Sequence, residues 1–345
     1  MQTLWSYLKT TGKPILLYGM GNGADRIIAQ LNACGLKISG VFASDDFVRG
    51  QFFHGFEVIT YKKAKEIFGV FIVLTSFGTS RQEVMGNIEM IFKEQELYIP
   101  DVPVYGDVIF DGVYYENNKH IAKKIKQAFY DKRSQDVFEK IINFKLTGKP
   151  EHLFAAEDPE KSVFENIISL KSNAVVFDLG AYKGDTTEKF LRLWPDLERI
   201  VAVEPDIKNF KKLKSAFENN TKVKCVNSAI SNRCEAVFFK SAGGRNRHIE
   251  HKKGNAEAIT IDSLAHNFSV PDFIKFDIEG EELNALKGAA ETIKKFKPAL
   301  FVSAYHKSED IFEIPEFVLN INPNYKMYLR HFRCIPCWDT YYIFL

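Results

Sequence analysis

Val175-Val-Phe-Asp178-Leu-Gly180-Ala-Tyr182-Lys183-Gly184-Asp185-Thr186-Thr187 is the stretch on which the reading of this 345-residue chain turns. An apolar run that ends on an acidic residue reads as a buried strand. Gly180 and Gly184 mark a turn that lets backbone approach a ligand with no Cβ in the way, and Asp185-Thr186-Thr187 opens a helix. In open α/β sheets the ligand crevice lies beyond the carboxyl ends of the strands, so these residues are expected at its centre. The next strand ends in Val203-Glu204-Pro205-Asp206, and the interval from Gly184 to Glu204 matches the spacing of about 20 residues at which a carboxylate meets ribose hydroxyls in dinucleotide folds.

The turn lacks the tight G-x-G-x-x-G spacing that aims a helix N-terminus at a pyrophosphate. A ligand with a ribose and no phosphate fits better, and S-adenosylmethionine is such a ligand. Outward from this turn, strands are expected at Ala174–Leu179, Arg199–Val203, Val223–Val226, Phe273–Asp277 and Ala299–Ala304. Helices are expected at Thr186–Leu193, Lys208–Phe217, Glu281–Phe296 and Ile311–Leu319. The last two apolar runs, Tyr325–His331 and Thr340–Phe344, are too close in sequence to be parallel neighbours, which need a crossover of a dozen residues or more, so they form an antiparallel hairpin at the sheet edge.

A third strand end reads Phe273-Ile-Lys-Phe-Asp277-Ile-Glu279-Gly280, followed by Leu283-Asn-Ala-Leu286-Lys-Gly288-Ala289. Together with the glycine turn and Glu204-Pro205, these motifs resemble those of FkbM-family methyltransferases over about Ser134 to Leu345. The resemblance implies a class I methyltransferase fold with a doubly wound sheet and antiparallel C-terminal hairpin. It also implies S-adenosyl-L-methionine as methyl donor and O-methylation of a sugar or natural-product hydroxyl. Carried over by position, Asp178, Gly180, Gly184 and Thr186 line the methionine end, Glu204 holds the ribose, and Asn227 and Ser228 lie beside the adenine. Tyr182, Lys183 and Asp185 in the turn, and Pro205 and Asp206 after the second strand, complete the expected cofactor site.

Methyl transfer to oxygen demands alignment and removal of the hydroxyl proton. Asp277 and Glu279 begin on opposite faces of the strand unless the chain turns at once, which Gly280 permits. Asp277 is the first choice as general base or acceptor-orienting group. Glu279 either shares that role or caps the helix that starts near Glu281. His306, closing the strand Phe301–His306, has an ordinary pKa suited to proton transfer near neutrality, or is a solvated strand end. Two carboxylates and a histidine also suit Mg²⁺, and the spacing leaves the metal open. The segment 240–254 is too polar and Gly-rich for a regular element and reads as a crevice-side loop. Its Lys240, Arg245, Arg247 and His248 would clasp an anionic acceptor such as a nucleotide-linked or acidic sugar.

The chain starts with a smaller Rossmann-like unit, residues 1–115, whose strands Ile15–Tyr18, Ile38–Phe42 and Phe71–Thr75 alternate with helical segments. Leu17-Tyr18-Gly19-Met20-Gly21-Asn22-Gly23-Ala24 is a G-x-G-x-x-A turn, and Asp45 follows the second strand. The unit is similar to the N-terminal domains of sugar acyltransferases that grip nucleotide sugars. A ligand at Gly19, Gly21 and Asp45 and a unit used only for packing or homodimer formation both stand. A rival reading makes the chain a nucleotide-sugar or NAD(P)-dependent protein with an inactive methyltransferase half. Residues 116–170 read as connecting helices covering the entrance of the domain at 171–345.

Composition bounds the rest. With 46 Lys+Arg against 44 Asp+Glu the chain is no globally basic nucleic-acid binder, and no run approaches the ~20 apolar residues of a membrane span. The opening residues lack a signal peptide, so a cytoplasmic location is expected. Five cysteines fit reduced thiols. Cys334 and Cys337 with His331 fall short of the four ligands of a structural zinc site.

Overall fold

Strands β1 (Ile15–Tyr18), β2 (Gly40–Ala43), β3 (Phe52–Phe53), β4 (Phe56–Thr60), β5 (Ile72–Thr75) and β6 (Glu96–Tyr98) form a first sheet in the order β3-β4-β2-β1-β5-β6, parallel except for the short β3 edge. β1, β2 and β5 are buried along their whole length, which is why they read as unbroken apolar runs. The computed structural model describes residues 2–241, 247–250 and 256–345, with backbone only for 238–241 and 247–250.

The second sheet holds β7 (Val175–Leu179), β8 (Arg199–Val203) and β9 (Val223–Val226). A four-stranded sheet follows in the chain, β10 (Ala229–Ile230), β11 (Glu235–Ser241), β12 (Arg247–Glu250) and β13 (Ala256–Ile259), ordered β10-β13-β11-β12. The segment expected to be a loop thus contributes two paired strands, with Lys240 opposite His248. Backbone pairing onto β13 overrides the polar composition there. β14 (Phe273–Phe276), β15 (Ala299–Ser303), β16 (Met327–His331) and β17 (Thr340–Phe344) complete the second sheet in the order β16-β17-β15-β14-β7-β8-β9. β17 runs antiparallel to both β15 and β16, as the short connection required. This is a class I methyltransferase sheet with its C-terminal hairpin.

Side-chain caps start many helices: Asp111 accepts from the Tyr114 N–H, Asp131 from Ser134, Asp206 from Lys208 and Asn209, and Thr260 from Ser263. The single helix expected over Glu281–Phe296 is two, Glu282–Lys287 and Ala290–Phe296. The break is at Gly288, where a Cβ would lie 2.3 Å from the Ser231 carbonyl oxygen.

The connecting helices do not cover an entrance. Gly112–Ala128, Lys132–Thr147 and Pro150–Ala156 bury Ile125, Val137, Phe138, Ile141 and Leu153 in one apolar core that also takes in Phe42 and Val73 of the first sheet and Phe177, Ile274 and Val302 of the second. Lys132–Thr147 lies on β16, where the Ser134 hydroxyl accepts from the Leu329 N–H at 3.0 Å and the Arg330 guanidinium pairs with Asp131. Buried Lys145 reaches Asp101 at 3.0 Å. No helix among the described residues is long and apolar enough to cross a membrane.

Candidate functional site

Beyond the carboxyl ends of β7, β8, β14 and β15 lies a cavity of about 610 Å³. Gly180, Tyr182, Asp185, Thr186, Glu204, Pro205 and Ser228 line one part of it, and Lys275, Asp277, Glu279 and His306 another. The sequence motifs therefore converge on one space.

Glu204 directly follows β8 and is only 5% exposed. Its Oε2 accepts the Tyr182 N–H and its Oε1 the Asp206 N–H, both at 2.9 Å. Two backbone donors fix the carboxylate at the mouth of the strand end. Asn227 steadies the same strand end from outside the cavity, donating to the backbone carbonyls of Glu204 at 2.8 Å and Pro205 at 3.2 Å. Asp206 is spent on the helix that follows, as its N-cap. Lys183 lies over the Tyr182 ring, its Nζ 4.6 Å from the centroid. Neither Asn227, Asp206 nor Lys183 lines the cavity.

The glycine turn departs from expectation in what its glycines face. At Gly180, with φ +76°, a Cβ would sit 1.9 Å from the Asp277 carbonyl oxygen, so the residue lets two strand ends touch. Gly184 backs onto Phe217, whose ring would be 2.3 Å from a Cβ, and is not a cavity residue. Asp178, expected to line the methionine end, is fully buried. It accepts from the Thr187 hydroxyl at 2.7 Å, and its other oxygen lies 3.2 Å from Nζ of Lys275, its direct cross-strand neighbour on β14. A lysine and an aspartate opposed in a parallel pair share a face, and burial of each is tolerable because of the other. Burial alone would lower the Lys275 pKa; the charges of Asp178 and Asp277 outweigh it and raise the value.

The acid end is built by a turn at two positive φ values, Glu279 (+59°) and Gly280 (+93°). A non-glycine residue held there marks a site the surroundings over-determine. The turn brings Asp277 Oδ1 and Glu279 Oε2 each to 3.6 Å from His306 Nε2. Tyr305 donates to Asp277 at 2.9 Å and Tyr105 to Glu279 at 3.0 Å. Glu279 does not cap the following helix, which starts without a side-chain cap; Glu282 Oε1 instead accepts the Ile278 N–H at 2.9 Å and braces the turn.

His306 is 2% exposed, not a solvated strand end. Its Nδ1 lies 2.9 Å from Glu282 Oε1, itself fully buried. Burial alone would push the imidazole pKa down, but the Glu282 charge and hydrogen bond, with Asp277 and Glu279 behind them, raise it to about 9. The ring is therefore charged at neutrality and donates rather than accepts. Burial raises the Glu279 pKa, which the His306 charge partly offsets.

Asp277, Glu282 and His306 offer donor atoms within 4.8 Å of one another. Glu282 Oε1 accepts from Ile278 and Ser303 and pairs with His306, while its buried Oε2 makes no hydrogen bond. His331, Cys334 and Cys337 do not converge: His331 pairs with Thr340, and the Cys337 thiol donates to Asp101.

Sequence reasoning missed Tyr105, Glu282, Tyr305, Ser80 and Trp338 at this site, since no spacing rule links them to the glycine turn. Arg245 lies outside the described residues, as do the side chains of Lys240, Arg247 and His248. In the first sheet, Cβ atoms at Gly19 and Gly23 would meet the Phe77 ring at 2.4 Å and the Ser76 carbonyl oxygen at 2.1 Å, so that side of the turn is filled by the chain itself. A Cβ at Gly21 would meet nothing within 4 Å, and Asp45 is exposed in a 3₁₀ turn.

Residues 178–327 match the methyltransferase FkbM domain. A search of curated proteins finds no match. Among solved structures, methyltransferase FkbM from Methylobacillus flagellatus is similar with a TM-score of 0.74 at 20% identity, covering 97% of this chain and 90% of that one. That likeness shows the fold, across both sheets. Precorrin-6y C5,15-methyltransferase from Geobacter metallireducens matches with a TM-score of 0.35 at 13% identity over 53% of this chain and 85% of that one. Fibrillarin from Aeropyrum pernix gives 0.34 at 10% identity, over 53% and 71%.

Proposed function

We propose that this chain, a methyltransferase whose residues 178–327 form a methyltransferase FkbM domain, uses S-adenosylmethionine to methylate a hydroxyl of a sugar, glycan precursor or related natural product. One observation carries the reading: an anchored carboxylate of ribose-binding type, Glu204, and a proton-handling group, Asp277, Glu279 and His306, face the same cavity. The residues present fit the donor. Glu204 presents a carboxylate, held by two backbone N–H groups, to the cavity where ribose hydroxyls would meet it, and Pro205, Ala229 and Ile230 offer an apolar wall beside Ser228 for a base. Bound there, S-adenosylmethionine supplies an electrophilic methyl group on a sulfonium.

The chain's own residues orient the acceptor and take its proton. Asp277 and Glu279 line the cavity beside His306 as proton acceptors, and burial raises the Glu279 pKa, which suits it to take a proton near neutral pH. His306, held charged by Glu282, stabilises both carboxylates in their ionised form and keeps them pointed inward. Tyr105 and Tyr305 fix their rotamers.

Calorimetric titration with S-adenosylmethionine tests the reading. The intact chain is expected to bind, and Glu204→Ala to bind about 5- to 150-fold more weakly, corresponding to about 1–3 kcal/mol for hydroxyls left without their charged partner. Absence of binding by the intact chain refutes the proposal.

A further inference from the structure

The cavity's acid end is closed by residues from the first sheet. Ser80, from the loop after β5, and Val104, from the segment after β6, line it beside Trp338 of the β16–β17 connection. These segments are bonded in place. Thr79 and Ile335 exchange backbone hydrogen bonds of 2.7 and 2.9 Å, and the Tyr105 N–H donates to the His306 carbonyl at 3.0 Å. A Cβ on Gly78 would lie 1.7 Å from the Trp338 ring, so only glycine lets the indole lie this close.

The same end carries Asp277, Glu279, Glu281 and Asp339. The cations lining the cavity among the described residues are Lys275 and His306, and both are engaged from behind: Lys275 by the buried Asp178, His306 by the buried Glu282. Asp277 and Glu279 share the His306 ring at 3.6 Å each, and Lys275, 4.0 Å from Asp277, already holds Asp178, so the carboxylates here outnumber the cations and an anion would meet a negative excess. A hydroxyl-rich compound would find acceptors for its O–H groups and an indole for its apolar face.

Resting on the reading that Glu204 marks the donor's end, we infer that the acceptor binds across the two sheets, between Trp338 and the Ser80 and Val104 walls, and is a hydroxyl-rich compound without negative charge. This is the opposite of what the cations of 240–254 suggested from sequence.

The test uses the full chain. After calorimetry with S-adenosylmethionine, release of S-adenosylhomocysteine is followed with neutral methyl glycosides and amino sugars, each matched to its uronic acid and its phosphate. Turnover is expected on uncharged or cationic members, with kcat/KM lower by about tenfold or more for the matched anions, because like charges are juxtaposed. Ser80→Trp, at an exposed position, is expected to raise the acceptor's KM by about tenfold by narrowing its wall, with donor affinity unchanged. Glu281→Gln is expected to narrow the preference over anions. Preference for an anionic member, no turnover on uncharged or cationic members while the donor binds, or unchanged acceptor kinetics in Ser80→Trp overturns the inference. Failure of the donor to bind overturns instead the methyl-transfer reading beneath it.

Discussion

Replacing Glu282 by glutamine removes the charge that holds His306 in its buried, protonated state. The two side chains are 0% and 3% exposed and meet at 2.9 Å, so solvent screens the pair little. A rise in the His306 pKa from 6.5 to about 9 corresponds to about 3 kcal/mol of folding free energy. The folded value lies above the unfolded one, so this contribution is complete below pH 6.5 and is lost as the pH climbs through 9. Asp310, raised to about 8 by burial and by the nearby Glu282, acts in the same direction, because a carboxyl kept neutral in the fold supports folding less as the pH passes from 3.8 to 8. The native protein is therefore expected to lose about 3 kcal/mol or more between pH 6.5 and 9, a fall of about 6–12 °C in melting temperature for a cooperative unit of this sheet's size. In Glu282→Gln the imidazole titrates nearer its ordinary value and Asp310 loses its repulsive neighbour. The fall should shrink by about half or more. Thermal melts of both proteins at intervals from pH 6 to pH 9 decide the matter: a flat native profile, or equal falls in the two proteins, refutes the reasoning.

Three further outcomes follow from the site. Gly180→Ala forces a Cβ against the Asp277 carbonyl at a positive φ, and is expected to destabilise by about 1–3 kcal/mol and to weaken S-adenosylmethionine binding, read by melting and calorimetry. Lys275→Met leaves the Asp178 carboxylate buried without its cation and is expected to cost about 3–5 kcal/mol in denaturant unfolding; a loss below about 1 kcal/mol would show that the pair is not structural. Glu279→Gln is expected to lower kcat about a hundredfold or more with donor affinity unchanged, and unaltered kcat would move the base to Asp277.

The central strands of the second sheet were legible because they are buried on both faces. Unbroken apolar runs such as Val175–Phe177 and Ile200–Val203 admit few alternatives, and a connection as short as 332–339 leaves a hairpin as the way to pair its flanking strands. The connecting helices were legible as helices from their period, but not their packing, since an apolar stripe does not say which surface will cover it. The 235–250 strands went unread because pairing with β13, not composition, makes them strands.

At the site, the carboxylates and the glycine turn were readable from local pattern alone, because each sits where an apolar strand run ends. Which of them face a ligand was decided by tertiary contacts. Asp178 turned inward to Lys275 and Gly184 to Phe217, each meeting a partner from another segment, while Asp206 was taken up by the start of its own following helix. His306 has an ordinary pKa in sequence and a raised one in the fold because Glu282, Asp277 and Glu279 surround it only there. Ser80, Val104 and Tyr105 join the cavity through contacts spanning well over a hundred residues, a reach that no local pattern encodes.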